Sequence, residues 1–570
     1  MLTGPRAWLI FALILTLNLV LSLTQLDADP PVPLAGGATP NEGLYVLNAR
    51  NQVLEGAARP DEWDNRLLHP IGSSLTRLAF QGWGVRLESA RRVSVIVSSL
   101  SLVLFFTLLR RATRPGVALL AALFLATNPF YVTYSRQAGP VALSIFLMLT
   151  TIGLWELGRR RKPWLIPAGI CLVAAAVFEN GPQNSFFLVT AALALLLIRM
   201  QAWKMPWAGP TRTRRQIFTW TAILVVGAWF VFFVLPRLSE FLKLSEVPLG
   251  VPRWGNVPQN LFMTPFTFWG YVRWTPLLCL VATAYVLVFA RSLFAPIARH
   301  LPLSETRVWF FAWLVTAPFF LALQSERPLD FMVVMTPPLC MAAAEALVAF
   351  LSLRQVRKPS VDILVALGSM ALFIWFVVQG LVHSSVERWY RSIPDGFFNH
   401  QFRYEFLLVF LVATPLTVLA AHLWLRWKRF TLTLSPAIVS WSFAALLAGI
   451  LAGGVAPVRW LMAPRYEVRD AARVIETLPP GSVVAGTWAP LLTLDSGRRG
   501  LVIWPRLNNR QPIANFGVTH LLLQQGSSED LPNNRVFASP AGGGMPAVER
   551  ITTLPLGDHR LELYRVVARR

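Results

Sequence analysis

Apolar runs of about 17 to 25 residues recur along this chain, each long enough to cross a hydrocarbon core at about 1.5 Å per helical residue. Between them lie short stretches rich in arginine. The pattern predicts roughly thirteen spanning helices. The first covers residues 7–25; it lacks a small-residue cleavage site before Asp27 and reads as a retained helix rather than a removed signal. The others begin near Val93, Gly116, Val141, Trp164, Ser185, Ile217, Thr275, Val308, Phe331, Asp362, Phe406 and Pro436.

Polar positions between the runs set an expected orientation. Alternate connectors carry Arg110, Arg111 and Arg114; Arg159 to Lys162; Lys204 with Arg212, Arg214 and Arg215; Arg291 and Arg299; Arg354, Arg357 and Lys358; and Arg426, Lys428 and Arg429. Cytoplasmic loops concentrate such residues, so the N-terminus is expected in the cytoplasm and residues 26–92 outside, with the plasma (inner) membrane as the location. Residues 1–456 then form the membrane domain, with 26–92 as its first extracytoplasmic loop. Residues 457–570 differ in texture, with an amphipathic helix expected over Val468–Leu478 and strands at Ser482–Gly486, Gly500–Trp504, Val518–Gln524 and Arg560–Val567. The expected fold is a polytopic α-helical membrane protein with a small C-terminal extracytoplasmic α/β domain.

Composition agrees. Hydrophobic residues make up 55% of the 570, charged residues only 14%, and mean hydropathy is +0.51, which excludes a water-facing globule and a disordered chain. The net charge of +23 would in a soluble protein suggest nucleic acid, but its placement between apolar runs follows the positive-inside pattern, so no nucleic-acid partner is expected. Cys171, Cys279 and Cys340 lie in apolar stretches without a CxxC spacing, which argues against a disulfide framework or thiolate zinc site.

Chemistry is expected in the first outer loop, which at about 65 residues is too long for a connector. In the stretch from Asn41 to Arg50, Tyr45, Asn48 and Ala49 stand at helical spacings from Glu42. Glu42 would occupy the first turn of a short helix along the membrane surface, where backbone amides favour a negative group. The same placement serves a simple helix-dipole acid or a catalytic carboxylate.

The run NEGLYVLNARNQVLEG, the later LLHP, and GWGVRLESARRVSVIVSSL leading into the second span resemble the opening of lipid-carrier-dependent glycosyltransferases of the C superfold. The closest resemblance is to the family-39 group of protein O-mannosyltransferases and lipid A aminoarabinose transferases. NPFYVTYSRQAGPVALSIFL and RPLDFMVVMTPPLCMAAAEAL resemble later motifs of that group. Three positions depart from it. Asn41-Glu42 replaces an Asp-Glu pair, Leu68-His69-Pro70 replaces Lys-Pro-Pro, and Gly139-Pro140 stand where an acid often follows Ser-Arg.

The resemblance implies inverting transfer of a sugar from a polyprenyl-phosphate donor to a protein, lipid or glycan acceptor on the extracytoplasmic side. A carboxylate orients or deprotonates the acceptor hydroxyl, and guanidinium groups meet charge growing on the departing phosphate. Glu42 is the expected catalytic residue. Arg136, Arg327, His69, Arg91 and Arg92 are expected at the donor phosphate, although membrane-headgroup contacts would explain the arginines as well. Asn41, Tyr45 and Glu179 are expected to line the acceptor cavity. The loop 383–404 reads as a gate or as an interfacial belt, and His422 as a core residue. No cofactor is required; a divalent metal could borrow Glu42 and His69, but no spacing demands one. The alternatives are a multispanning transporter or flippase and a catalytically degenerate glycan-binding protein. Against the transporter stand spans nearly free of mid-helix acids.

Overall fold

The computed structural model describes residues 4–31, 38–57, 61–179, 184–204, 211–249, 274–294, 304–323, 332–352, 435–503, 507–508, 512–525, 547–557 and 559–567. The expected spans near Asp362 and Phe406, Arg327, the loop 383–404 and His422 lie outside those residues.

The protein is a multi-pass helical membrane protein. In chain order the helices are α1 (Gly4–Leu23), α2 (Asn41–Leu54), α3 (Pro70–Trp83), α4 (Leu87–Ala112), α5 (Pro115–Thr127), α6 (Pro129–Ser135), α7 (Val141–Leu157), α8 (Leu165–Val173), α9 (Phe186–Lys204), α10 (Thr211–Trp229), α11 (Leu238–Leu249), α12 (Pro276–Phe294), α13 (Glu305–Leu323), α14 (Thr336–Ser352), α15 (Pro436–Ala452), α16 (Val455–Met462) and α17 (Glu467–Glu476). Among the described residues five helices are long and apolar enough to cross a membrane, or six if the bent pair α5–α6 counts as one span. Several expected spans are shorter apolar helices, such as Val141–Leu157 and Pro276–Val286.

Lipid offers no hydrophobic drive between helices, so close packing of small residues has to hold the bundle. Ala118, Ala121 and Ala122 of α5 and Ala342, Ala343 and Ala344 of α14 are fully buried where these two helices meet. Trp155, Trp309 and Phe218 interlock edge to face at the end carrying the basic connectors. There Glu305 accepts from Trp155 Nε1 at 2.7 Å and pairs with Arg214 at 3.2 Å, tying α7, α10 and α13 together.

The 60° bend between α5 and α6 has a local cause. Asn128 leaves the helical region, and its Oδ1 accepts from the amides of Phe130 and Tyr131 at 3.0 and 3.1 Å, while Pro129 at the first position of α6 needs no donor partner. The bend carries the chain into the turn 136–140, which becomes part of the site.

The tail adds short helices α18 (Ala489–Leu492) and α19 (Pro512–Phe516) and five strands, β1 (Val483–Ala485), β2 (Arg499–Leu501), β3 (His520–Gln525), β4 (Val548–Leu556) and β5 (His559–Val566). The sheet order is β2-β1-β3-β5-β4, parallel on the β2-β1-β3 side and antiparallel across β3-β5-β4. The expected strands are present; β4 is additional. Its sequence VERITTLPL alternates poorly and contains Pro555, which a sheet tolerates at an edge, where β4 lies.

The tail does not fold away from the first loop. Val46, Ala49, Phe80 and Leu87 share one apolar core with Val468, Ile475, Leu491 and Leu561. Polar caps run across the same seam. Asp29 accepts from the amide of Glu467 at 2.6 Å and from that of Val468, ending the N-terminus of α17. Asp495 accepts from the Leu87 amide at 2.9 Å at the start of the membrane helix α4. Arg50, buried on α2, donates to the carbonyls of Thr493 and Arg498. The helix carrying Glu42 is thus sandwiched, where the sequence suggests one lying on a membrane surface.

Gly43 makes the contact possible. A Cβ there would stand 2.3 Å from the Leu491 backbone nitrogen. Gly43→Ala is expected to part α2 from α18 and to cost about 1–3 kcal/mol. A thermal-unfolding shift with earlier protease cleavage in 489–503 checks this; an unchanged melting curve would refute the tight contact.

Candidate active site

At the tail-bearing end of the bundle, Glu42 in the first turn of α2 meets Arg91 in the first turns of α4. The pair is bidentate: Arg91 Nε reaches Oε1 at 2.9 Å and Nη2 reaches Oε2 at 2.7 Å. Both side chains are buried. Oε1 also accepts from the Ala138 amide at 2.7 Å. The remaining Arg91 nitrogen donates to the carbonyls of Leu26 and Ala28, both at 2.8 Å. One ion pair thereby fixes α2, α4, the start of the first connector and the turn 136–140. A carboxylate offers about four acceptor positions and three are used here, leaving a lone pair on Oε2.

Beside this pair opens a narrow cleft of about 40 Å³, bounded by α3, α4 and α7. Tyr45, His69, Glu179 and the turn residues Ala138 and Gly139 line it. Glu42 does not line it but sits one layer behind Ala138, from whose amide it accepts. Asn41 is half-buried at the start of α2 and does not line the cleft.

Glu179 arrives by a distinct route. After α8 the helix widens into a π turn over Ala174–Phe178, and the Glu179 amide bonds back to the Ala174 carbonyl at 3.0 Å. Glu179 Oε1 then accepts from the amides of Ile71 and Gly72, at 2.8 and 3.1 Å, at the N-terminus of α3. Burial outweighs those two bonds and pushes the carboxyl up to about 8.

The groups expected at a donor phosphate are placed differently from one another. Arg91 is committed to Glu42. Arg136 is buried, donates to the carbonyls of Leu21 and Gln25, and lies 4.3 Å over the Trp460 ring. The Gln25 carbonyl faces it because that residue turns the chain with φ of 51°. Arg92 is on the surface, paired with Glu88 at 3.4 Å and close to Trp83. Among the described residues of this set only His69 lines the cleft, and burial lowers its pKa to about 3. A solvated imidazole titrates near neutrality; in the fold His69 is neutral and brings no charge to a phosphate.

A second opening lies on the other side of the turn. A groove of about 760 Å³ is lined by Pro30, Pro31, Trp274, Trp460, Arg459 and Arg465, with Arg136 behind Trp460. Sequence reasoning passed over Arg459 and Arg465. Their signal was present, since two arginines just past the last apolar run, on the side expected to be poor in cations, break the positive-inside pattern.

Residues 69–234 match the sequence model for dolichyl-phosphate-mannose-protein mannosyltransferases, which is less than half of the chain. No curated protein matches. The structure is similar to ArnT from Cupriavidus metallidurans over 98% of both chains, at 15% identity, with a TM-score of 0.55 for the form bound to undecaprenyl phosphate and 0.56 for the apo form. The chain has the fold of the C-superfold glycosyltransferases. An apo oligosaccharyltransferase from Archaeoglobus fulgidus matches more distantly, at 11% identity over 95% of this chain and 72% of that one, with a TM-score of 0.45. The family match opens at His69 and takes in Arg91, Arg136 and Glu179, but includes neither Glu42 and Tyr45 nor the groove arginines.

Neutral His69 carries a pH consequence. With its folded pKa depressed below the unfolded value near 6.5, its contribution is fully present above that value and is lost as pH falls toward 3. Asp29 and Asp61, raised to about 6 by burial, act oppositely, their contributions fading as pH rises through 6. His69→Gln isolates the first effect. Wild type is expected to lose about 2 kcal/mol relative to the variant between pH 7 and pH 5. Parallel melting curves across that range would place the imidazole in contact with water.

Proposed function

We propose that this protein is a membrane glycosyltransferase moving a sugar from a polyprenyl-phosphate donor to an acceptor hydroxyl on the extracytoplasmic side, by inverting displacement. The observation carrying this reading is the position of Glu42, hydrogen-bonded to the turn 136–140 that lies between the arginine-bearing groove and the cleft. The groove suits an anionic lipid headgroup, with Arg459 and Arg465 at its lining and Arg136 adding charge through Trp460. The relative of the same fold was crystallised with undecaprenyl phosphate, which supports a lipid-linked donor.

In the proposed reaction the acceptor enters from the cleft side, and its hydroxyl is met by the remaining lone pair of Glu42 Oε2. The oxygen attacks the anomeric carbon as the bond to phosphate breaks; Glu42 takes the hydroxyl proton, and the negative charge leaves with the lipid phosphate. Arg91 is a positioning residue, since it acts through Glu42. The groove arginines replace Arg91 and Arg92 as the preferred phosphate contacts, with Arg136 kept in a supporting place and His69 moved to the acceptor side; Arg327, outside the described residues, keeps its expected place.

The test is transfer of label from radiolabelled polyprenyl-phosphate sugars to membrane extract by the purified full chain. Transfer is expected, and Arg459→Gln with Arg465→Gln is expected to raise the donor KM about tenfold or more with little change in kcat. No transfer from any polyprenyl-phosphate sugar would defeat the reading, and an unchanged KM would move the phosphate out of the groove.

A further inference from the structure

Residues 25–31 leave the end of α1 as a strap between the Glu42–Arg91 pair and the arginine-bearing groove. On one side the carbonyls of Leu26 and Ala28 accept from Arg91, and that of Gln25 accepts from Arg136. On the other side Asp29, Pro30 and Pro31 line the groove itself. Asp29 bonds to the facing wall through every polar group it has. Its amide donates to the Arg465 carbonyl at 2.8 Å, and its carbonyl accepts from Trp460 Nε1 at 2.9 Å. Its carboxylate accepts from the Glu467 amide at 2.6 Å and the Val468 amide at 3.3 Å.

A carboxylate is an odd group to find in a groove suited to an anion, since its charge repels a phosphate there. Its bonds supply the reason. Glu467 opens α17, whose first amides have no partner within the helix and carry partial positive charge. Tyr466, the residue that precedes them, makes no side-chain cap. Asp29, 438 positions away in sequence and 5% exposed, does what a local Ser or Asp does elsewhere. The cap pins residues 465–468 to the strap. Arg465 depends on that pin, because its side chain is 62% exposed and its ion pair with Glu467 is long, at 3.7 Å. Backbone, rather than side-chain contact, decides where its guanidinium stands. Trp460, held by the Asp29 carbonyl, in turn lies 4.3 Å from the Arg136 guanidinium.

We infer that Asp29 is a positioning residue of the donor site: by capping α17 it holds Arg465, and with it a lipid phosphate, in register with the strap that anchors Arg91. The inference rests on the reading above for the ligand of the groove and on nothing in the transfer step.

The experiment is binding of a polyprenyl phosphate to the purified full chain in detergent micelles, with the matching polyprenol as the uncharged control. A pH near 8 keeps Asp29 ionised, since burial raises it only to about 6. Asp29→Ala is expected to weaken phosphate binding about fivefold or more and to leave polyprenol binding unchanged. Asp29→Asn, which keeps a capping oxygen and sheds the charge, is expected to bind the phosphate as tightly as wild type or more tightly. Two simpler roles give other results. A carboxylate that mattered only as a charge would let both variants bind more tightly, and one that mattered only to the stability of the tail would let Asp29→Ala melt earlier and bind normally. Glu62→Ala is the comparison for stability: it breaks the 2.8 Å bond from the Asn508 amide in the same seam, between residues that do not line the groove. It is expected to melt earlier with phosphate affinity unchanged. The inference is overturned by wild-type affinity in Asp29→Ala, by tighter binding in both Asp29 variants, by a loss in Glu62→Ala equal to that in Asp29→Ala, or by a wild type that does not prefer the phosphate to the alcohol. Failure of the two readings is separable. Asp29-dependent phosphate binding without any sugar transfer would remove the transferase and spare this inference, whereas transfer by Asp29→Ala at the wild-type donor KM would do the reverse.

Discussion

Glu42→Gln is expected to lower glycosyl transfer by about a hundredfold to ten-thousandfold, the range spanned by loss of a positioned general base. The loss should fall on kcat, with the donor KM nearly unchanged, because the groove proposed for the lipid phosphate lies across the turn from this side chain. The amide also places an N–H where Oε1 or Oε2 now accepts from Arg91, so some stability is lost with it. A melting curve of the same preparation separates the two effects. Turnover within a few-fold of wild type, in a protein of normal stability, would take Glu42 out of the chemistry and leave it as a structural anchor.

Arg91→Leu should be the most damaging single change to the fold at this end. It strands the Glu42 carboxylate in a buried place and removes donors from the Leu26 and Ala28 carbonyls. Breaking a buried pair from one side costs about 3–5 kcal/mol, whereas replacing both partners by apolar groups is often nearly neutral. Glu42→Leu added to Arg91→Leu is therefore expected to recover most of the lost melting temperature while leaving the protein inactive. If the double variant melts as low as the single one, the stranded carbonyls rather than the carboxylate explain the loss.

Much of this architecture was readable from residue pattern. Hydropathy marks the helices because lipid demands internally bonded backbone, and the strands at Ser482–Gly486 and Val518–Gln524 stand out as β-branched and aliphatic runs between turn residues. The place of Glu42 in the first turn of α2 follows from spacing. What pattern could not give is partnership. Nothing near Arg91 in sequence shows that its fork closes on a carboxylate 49 positions earlier, and nothing near Arg136 shows that it holds two carbonyls after α1. Both looked like free cations, the guise that suits a phosphate contact. His69 misled for a related reason, since its charge depends on burial among groups distant in the chain. Glu179 was visible as an acid at a helix end, but its cap on α3 required the π turn that swings it there.

The cap that Asp495 places on Leu87 also orders events during synthesis. The first loop and α4 leave the ribosome some four hundred residues before the segment that finishes them, and the Leu87 amide, the Arg50 guanidinium and one face of α2 must wait for that segment to arrive. A nascent chain lacking residues 467–503 would carry the Glu42–Arg91 pair without its roof, so this end of the molecule is completed late in biogenesis, after most of the helices have been made.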